Sequence, residues 1–179
     1  TFATAENAPV LVYSLWQDNV ASRTAAIMLH NTRTRHTEEV AFGEYQFSLH
    51  PDGRFLVYEV YDRENRSTDT HLLDLKTDED QVIYTREDRQ FADNQNQFQW
   101  TDTHLIFWFT ESYSPRNTVI FRYPLATSDN SEIGVGLSRL DREYELQYAA
   151  DESRVIYSPL ISEQSNAINV EWLADDRYT

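Results

Sequence analysis

Phe47-Ser48-Leu49-His50-Pro51-Asp52-Gly53-Arg54-Phe55-Leu56-Val57-Tyr58 joins a short alternating segment to an apolar run through Pro51-Asp52-Gly53. Pro51 presets φ, Asp52 supplies a side-chain acceptor, and Gly53 is free to take φ > 0, so His50 to Gly53 reads as a tight turn. The β-branched, apolar and aromatic residues that follow read as a strand.

Working outward, the strand ending in Tyr58 has three counterparts. Leu11-Val12-Tyr13-Ser14, Ile106-Phe107-Trp108-Phe109 and Val155-Ile156-Tyr157-Ser158 each place two apolar residues before an aromatic. These aromatics recur at intervals of about 45–50 residues. A preceding segment of the type apolar–Gln–aromatic–small also recurs, as Tyr45-Gln46-Phe47-Ser48, Phe98-Gln99-Trp100-Thr101 and Leu146-Gln147-Tyr148-Ala149. A third strand follows each aromatic, at Ile27 to His30, His71 to Leu75, Val119 to Tyr123 and Ile168 to Trp172. A weaker fourth lies at Glu39 to Phe42, Gln81 to Thr85 and Ile133 to Leu137. No window holds a helical period over three turns.

Four strands per period of this length are the signature of propeller blades. The predicted fold is all-β: a β-propeller of about four blades of four antiparallel strands, spanning about 8–42, 44–86, 97–138 and 145–176. The first period shows strands two to four and the last shows strands one to three, so the reading is incomplete at both ends. It expects a segment of a larger propeller, or association through unpaired edge strands.

The Pro-Asp-Gly turn between a small residue and an apolar strand, followed by His71-Leu72-Leu73-Asp74-Leu75, resembles the repeat of the TolB-like (WD40-like) β-propellers. The third and fourth periods keep only the Asp of the turn, in Thr101-Asp102-Thr103 and Ala150-Asp151-Glu152. The resemblance implies a bacterial-type propeller, extracytoplasmic (periplasmic or secreted), that acts by binding. It also implies an alternative, the non-catalytic propeller portion of a prolyl-oligopeptidase-like serine peptidase.

Composition narrows the function classes. The 179 residues carry 15 basic and 30 acidic side chains, a formal charge of −15. Such a surface repels phosphate backbones and anionic headgroups, so neither nucleic acid nor an anionic membrane is an expected partner. Cys is absent, which excludes thiol chemistry and Cys-ligated zinc, and Lys76 is the only lysine. No apolar run approaches the roughly 20 residues of a membrane-spanning helix, and no signal peptide is visible at the start.

The candidate chemistry is sparse. His30, His36, His50, His71 and His104 lack His-Glu-x-x-His spacing and are read as structural or solvated. The acidic runs at Asp78-Glu79-Asp80 and Glu87-Asp88 lack a calcium-loop pattern and its glycine. Gln46, Gln99 and Gln147 stand on first strands where a propeller glycosidase would need a carboxylate, and Gln cannot act as acid or nucleophile. No Gly-x-Ser-x-Gly elbow occurs. The expectation is therefore no catalysis and no cofactor or metal. In an up-and-down blade, the links between strands two and three and between strands four and one share one rim. Those links carry Arg63, Arg66, Arg86, Arg89, Arg116, Arg139 and Arg142, with Tyr113 among them. The predicted site is this rim, binding an acidic or carboxylate-bearing protein partner through bidentate arginine bonds with Tyr113 as an aromatic anchor.

Overall fold

A computed structural model describes residues 2–5, 8–19, 22–42, 46–62, 64–87, 97–110, 118–125, 136–140, 144–149, 151, 154–159 and 169–172. These residues form fifteen strands and no helix. The chain divides into two compact units, Thr1–Phe91 and Ala92–Thr179.

In the first unit, β1 (Phe2–Thr4), β2 (Val10–Asn19), β3 (Ser22–Asn31) and β4 (His36–Phe42) form one sheet in chain order. The strands β5 (Phe47–Leu49), β6 (Phe55–Asp62), β7 (Ser67–Asp74) and β8 (Glu79–Glu87) form the second. In the second unit, β9 (Gln97–Trp100), β10 (His104–Thr110), β11 (Thr118–Pro124) and β12 (Gly136–Leu140) make a third sheet. A fourth contains β13 (Tyr144–Tyr148), β14 (Arg154–Pro159) and β15 (Asn169–Trp172). Every pairing is antiparallel between chain neighbours, the up-and-down meander of a propeller blade.

The recurring aromatics occupy one structural position. Tyr13, Tyr58, Trp108 and Tyr157 lie on the second strand of their sheets, opposite Phe2, Phe47, Gln97 and Leu146 of the first. Each partner stands eleven residues upstream of its aromatic, so all four first hairpins share one register. The repeat reading has one correction. The first sheet has a first strand, β1, which that reading did not place: its three residues lack the Gln–aromatic pattern and are identified only by pairing with Leu11 to Tyr13. Of the fourth strand expected at Ile133 to Leu137, Gly136 and Leu137 lie on β12, and residues 133–135 lie outside the described residues.

Period-two alternation builds the core of the first unit. Val12 and Ile27 of the first sheet meet Phe47, Leu49, Leu56 and Tyr58 of the second, with Val10, Leu29, Val60, Leu73 and Leu75 around them. The second sheet is covered on both sides, since Phe55 to Glu59 are buried without interruption. In the third sheet Leu105 to Phe109 are buried in the same way. Phe107 lies opposite Phe98 and Phe121 on the neighbouring strands and stacks on Phe121 at 4.8 Å and 7°.

Few glycines are available for turns, and three hairpins solve this alike. Asn31, Asp62 and Asp74 each end a strand and accept backbone N–H bonds from the following residues through the side chain. Four residues later Arg35, Arg66 and Asp78 take the left-handed conformation, at φ of 60°, 52° and 57°. The Pro-Asp-Gly turn differs. Gly53 has φ 76°, donates its N–H to the His50 carbonyl at 2.8 Å, and lies directly under Ala8 and Ala5 of the first sheet's opening loop. Both full outer pairs of this unit carry a β-bulge at the residue facing the aromatic, between Ile27 and Met28 and between Thr70 and His71.

An ion pair ties the first hairpin to the third strand. Arg54 Nη2 and Nε donate to Asp74 Oδ2 at 2.6 and 3.0 Å, and the guanidinium lies 4.5 Å over the Phe55 ring. The Arg54 hydrogen bond holds the Asp74 carboxyl below its usual range, against partial burial. Asp74→Asn keeps the turn acceptor for Lys76 N–H but removes the charge. With Arg54 nearly half exposed, the expected cost at neutral pH is about 0.5–1.5 kcal/mol. A depressed carboxyl stabilises above its unfolded pKa and loses that contribution as pH falls through the folded value. Urea unfolding should therefore show a gap between wild type and variant at neutral pH that closes under acid. A gap independent of pH would refute the assignment.

Candidate functional site

The turn from β6 to β7 and the end of β8 meet at one end of the second sheet, because Asp62 pairs with Ser67 and Ser67 with Glu87. Asp62 organises this end. Its Oδ1 accepts the N–H groups of Glu64 and Asn65 at 2.8 and 3.1 Å, and Oδ2 accepts Asn65 Nδ2 at 2.6 Å. The Asn65 backbone bond, followed by its side-chain bond, lowers the Asp62 pKa. Asp62, Asn65, Arg66, Ser67, Asp69, Thr85 and Glu87 line an open groove here. Within it Thr85 Oγ1 donates to Asp69 Oδ1 at 2.6 Å.

Of the predicted arginine set, the structure brings Arg66 and Arg86 to this end. Arg66 is exposed on the turn, and Arg86 stands on β8 opposite Thr68. Arg139 is on β12 opposite Val119. Arg63, Arg89, Tyr113, Arg116 and Arg142 lie outside the described residues. The groove also contains acids, of which the sequence already set Glu87 beside the arginines. Among the described residues, Asp62, Asp69 and Glu87 give it three carboxylates beside the guanidinium of Arg66. Sequence alone hides Asp69, since only strand register returns it beside Asp62 and Glu87.

All five histidines have local partners. His50 Nδ1 lies 2.6 Å from Asp52 Oδ1, His30 Nδ1 2.7 Å from Thr37 Oγ1, and His104 Nδ1 2.7 Å from Thr103 Oγ1. His36 Nε2 is 3.7 Å from Glu38. His71 stacks on Tyr58 at 4.9 Å and approaches Asp80 at 3.3 Å, while the Tyr58 hydroxyl donates to Asp80 at 2.6 Å. Burial and then that hydrogen bond raise the Tyr58 pKa. These three side chains form a cross-strand clamp over β6, β7 and β8.

The first sheet differs from the second in one respect. Its Val12 face is buried against the second sheet, but its other face carries Phe2 at 74% and Leu15 at 49% exposure on either side of Tyr13. On the matching face of the second sheet Phe47 and Tyr58 are buried, at 9% and 3% exposure, while Val82 of the border strand β8 is 51% exposed.

No protein-family model and no curated protein matches this sequence. Several solved structures match its fold. The β-propeller domain of the Trilobed protease from Pyrococcus furiosus superposes with a TM-score of 0.69 at 12% identity, over 97% of this chain and 53% of that one. Acylaminoacyl peptidase from Pyrococcus horikoshii gives 0.68 at 14% identity, over 98% of this chain and 31% of that one. TolB from Acinetobacter baumannii gives 0.55 at 17% identity, over 96% and 40%. The chain thus spans about half, or less, of the length of the solved chains it matches. At these identities the likeness is one of fold, and by that fold the chain is a β-propeller of the kind found in TolB and in the propeller domains of peptidases.

Proposed function

We propose that this chain is a non-catalytic protein-binding or scaffolding module of a larger assembly. The observation that carries this reading is the uncovered face of the first sheet. Phe47, the counterpart of Phe2 on the second sheet, is buried, whereas Phe2 and Leu15 stand in solvent. Two large apolar side chains exposed on one sheet face fit a surface that another sheet or chain covers. Covering those two side chains is worth roughly 2–4 kcal/mol. The rim around Arg66 and Arg86 adds a polar surface on rigid hairpins, where binding residues collect. In this reading Arg63, Arg89, Arg116, Arg139, Arg142 and Tyr113 are further contacts for a carboxylate-bearing partner. The TolB likeness supports an extracytoplasmic location, periplasmic or secreted.

Light scattering on the isolated chain tests the face directly. Wild type is expected to associate above the monomer mass, and Phe2→Glu with Leu15→Glu to return it to monomer with unchanged far-ultraviolet circular dichroism. A wild-type chain that stays monomeric and binds no apolar dye would overturn the proposal.

The peptidase propellers among the matching structures favour a second reading, the propeller portion of a serine peptidase whose hydrolase domain lies outside this sequence. A fluorophosphonate label found on the native polypeptide that contains this sequence would establish it. An unlabelled polypeptide would favour the binding module.

A further inference from the structure

We propose that the cleft between the two sheets of the first unit, at the end away from the arginine rim, binds a carboxylate carried on a small apolar group. The β3–β4 turn, the His50–Arg54 turn and the β7–β8 turn border a cleft of about 440 Å³, within the range of small-ligand pockets. Val10, Leu29 and Leu75 supply an apolar lining that the core packing leaves half-buried.

The polar edge has donors to spare. Arg54 is held by Asp74 through Nε and Nη2 and by the Phe55 ring, which leaves Nη1 as its remaining donor group among the described residues. Lys76, the only lysine of the sequence, has its backbone N–H fixed on Asp74 Oδ1 at 2.9 Å. Its ammonium makes no hydrogen bond or ion pair among the described residues. Two carboxylates also line the cleft: Asp52 accepts the Arg54 N–H and lies 2.6 Å from His50 Nδ1, and Glu38, on the outer edge, lies 3.7 Å from His36 Nε2. An incoming carboxylate therefore meets one committed and one uncommitted cation beside an apolar wall. The same group occurs at the C-terminus of a peptide ending in an apolar residue and in a free small carboxylic acid.

Titrating the 179-residue chain with N-acetyl-leucine, followed by amide chemical shifts, should move Val10, Leu29, Leu75 and Lys76. N-acetyl-leucinamide should leave them in place. Lys76→Gln should weaken acid binding roughly tenfold, the loss of one charge-assisted contact, with an unchanged melting temperature, while Lys76→Arg should keep it. Equal shifts with acid and amide, no shifts in the millimolar range, or full binding by Lys76→Gln would each overturn the proposal. A short peptide ending in leucine that binds more tightly than N-acetyl-leucine assigns the cleft to protein C-termini. Equal affinity assigns it to free carboxylic acids.

Discussion

Gly53→Ala is expected to destabilise the first unit by about 2–5 kcal/mol, from two separable causes. At φ 76° an L side chain is strained whatever space surrounds it. Here there is no space either: a Cβ on Gly53 would overlap the Ala8 Cβ and sit 3.0 Å from the Ala5 Cβ. Backbone strain of this type costs about 1–2 kcal/mol, and forcing a methyl into packed surroundings about 1–3. The pair with Ala8→Gly separates them. In the Gly53→Ala background, Ala8→Gly should recover the steric part and leave the strain, so the double variant should be more stable than Gly53→Ala alone. Equilibrium urea unfolding of the four proteins supplies the cycle. A Gly53→Ala variant within 0.5 kcal/mol of wild type, roughly the size of a neutral surface change, would mean that the opening loop does not rest on this turn.

Phe107→Ala should cost about 3–5 kcal/mol. Phe107 is 1% exposed and stands in the middle strand of an aromatic row, with Phe98 at 6.2 Å on one side and Phe121 at 4.8 Å on the other. Truncation removes both ring contacts and leaves a cavity that strands hydrogen-bonded on either side cannot close. Phe107→Leu, which keeps most of the volume, should cost much less, about 1–2 kcal/mol. Denaturant midpoints together with near-ultraviolet circular dichroism would check both. Equal losses for Ala and Leu would indicate that ring stacking, not filled volume, governs the site.

The strands that carry the aromatics were legible because they are dense in β-branched and aromatic residues at a long, regular interval. β1 was not, since three residues hold no pattern of their own. The constant register supplies what was missing: eleven residues upstream of Tyr13 lies Phe2, as Phe47 lies upstream of Tyr58. The turn aspartates follow the same ruler, with Asp52, Asp102 and Asp151 each six residues before the aromatic. The capping roles of Asn31, Asp62 and Asp74 were not legible, because Arg and Asp occupy the left-handed position where glycine is the usual sign. The rim was legible as a set of loop arginines. The grouping of Asp62, Asp69 and Glu87 was not, because these carboxylates come from different strands and converge only through pairing.

The paired bulges have a consequence for solubility. Each inserts an unmatched residue, Val40 on β4 and Ile83 on β8, into a strand that borders its sheet. The outward row of amide and carbonyl groups is kinked halfway along, so a straight foreign strand can match it over only a few residues before losing alignment. Fibril growth by lateral strand addition is thereby discouraged at both borders, even in a chain whose flat apolar side stays open to company.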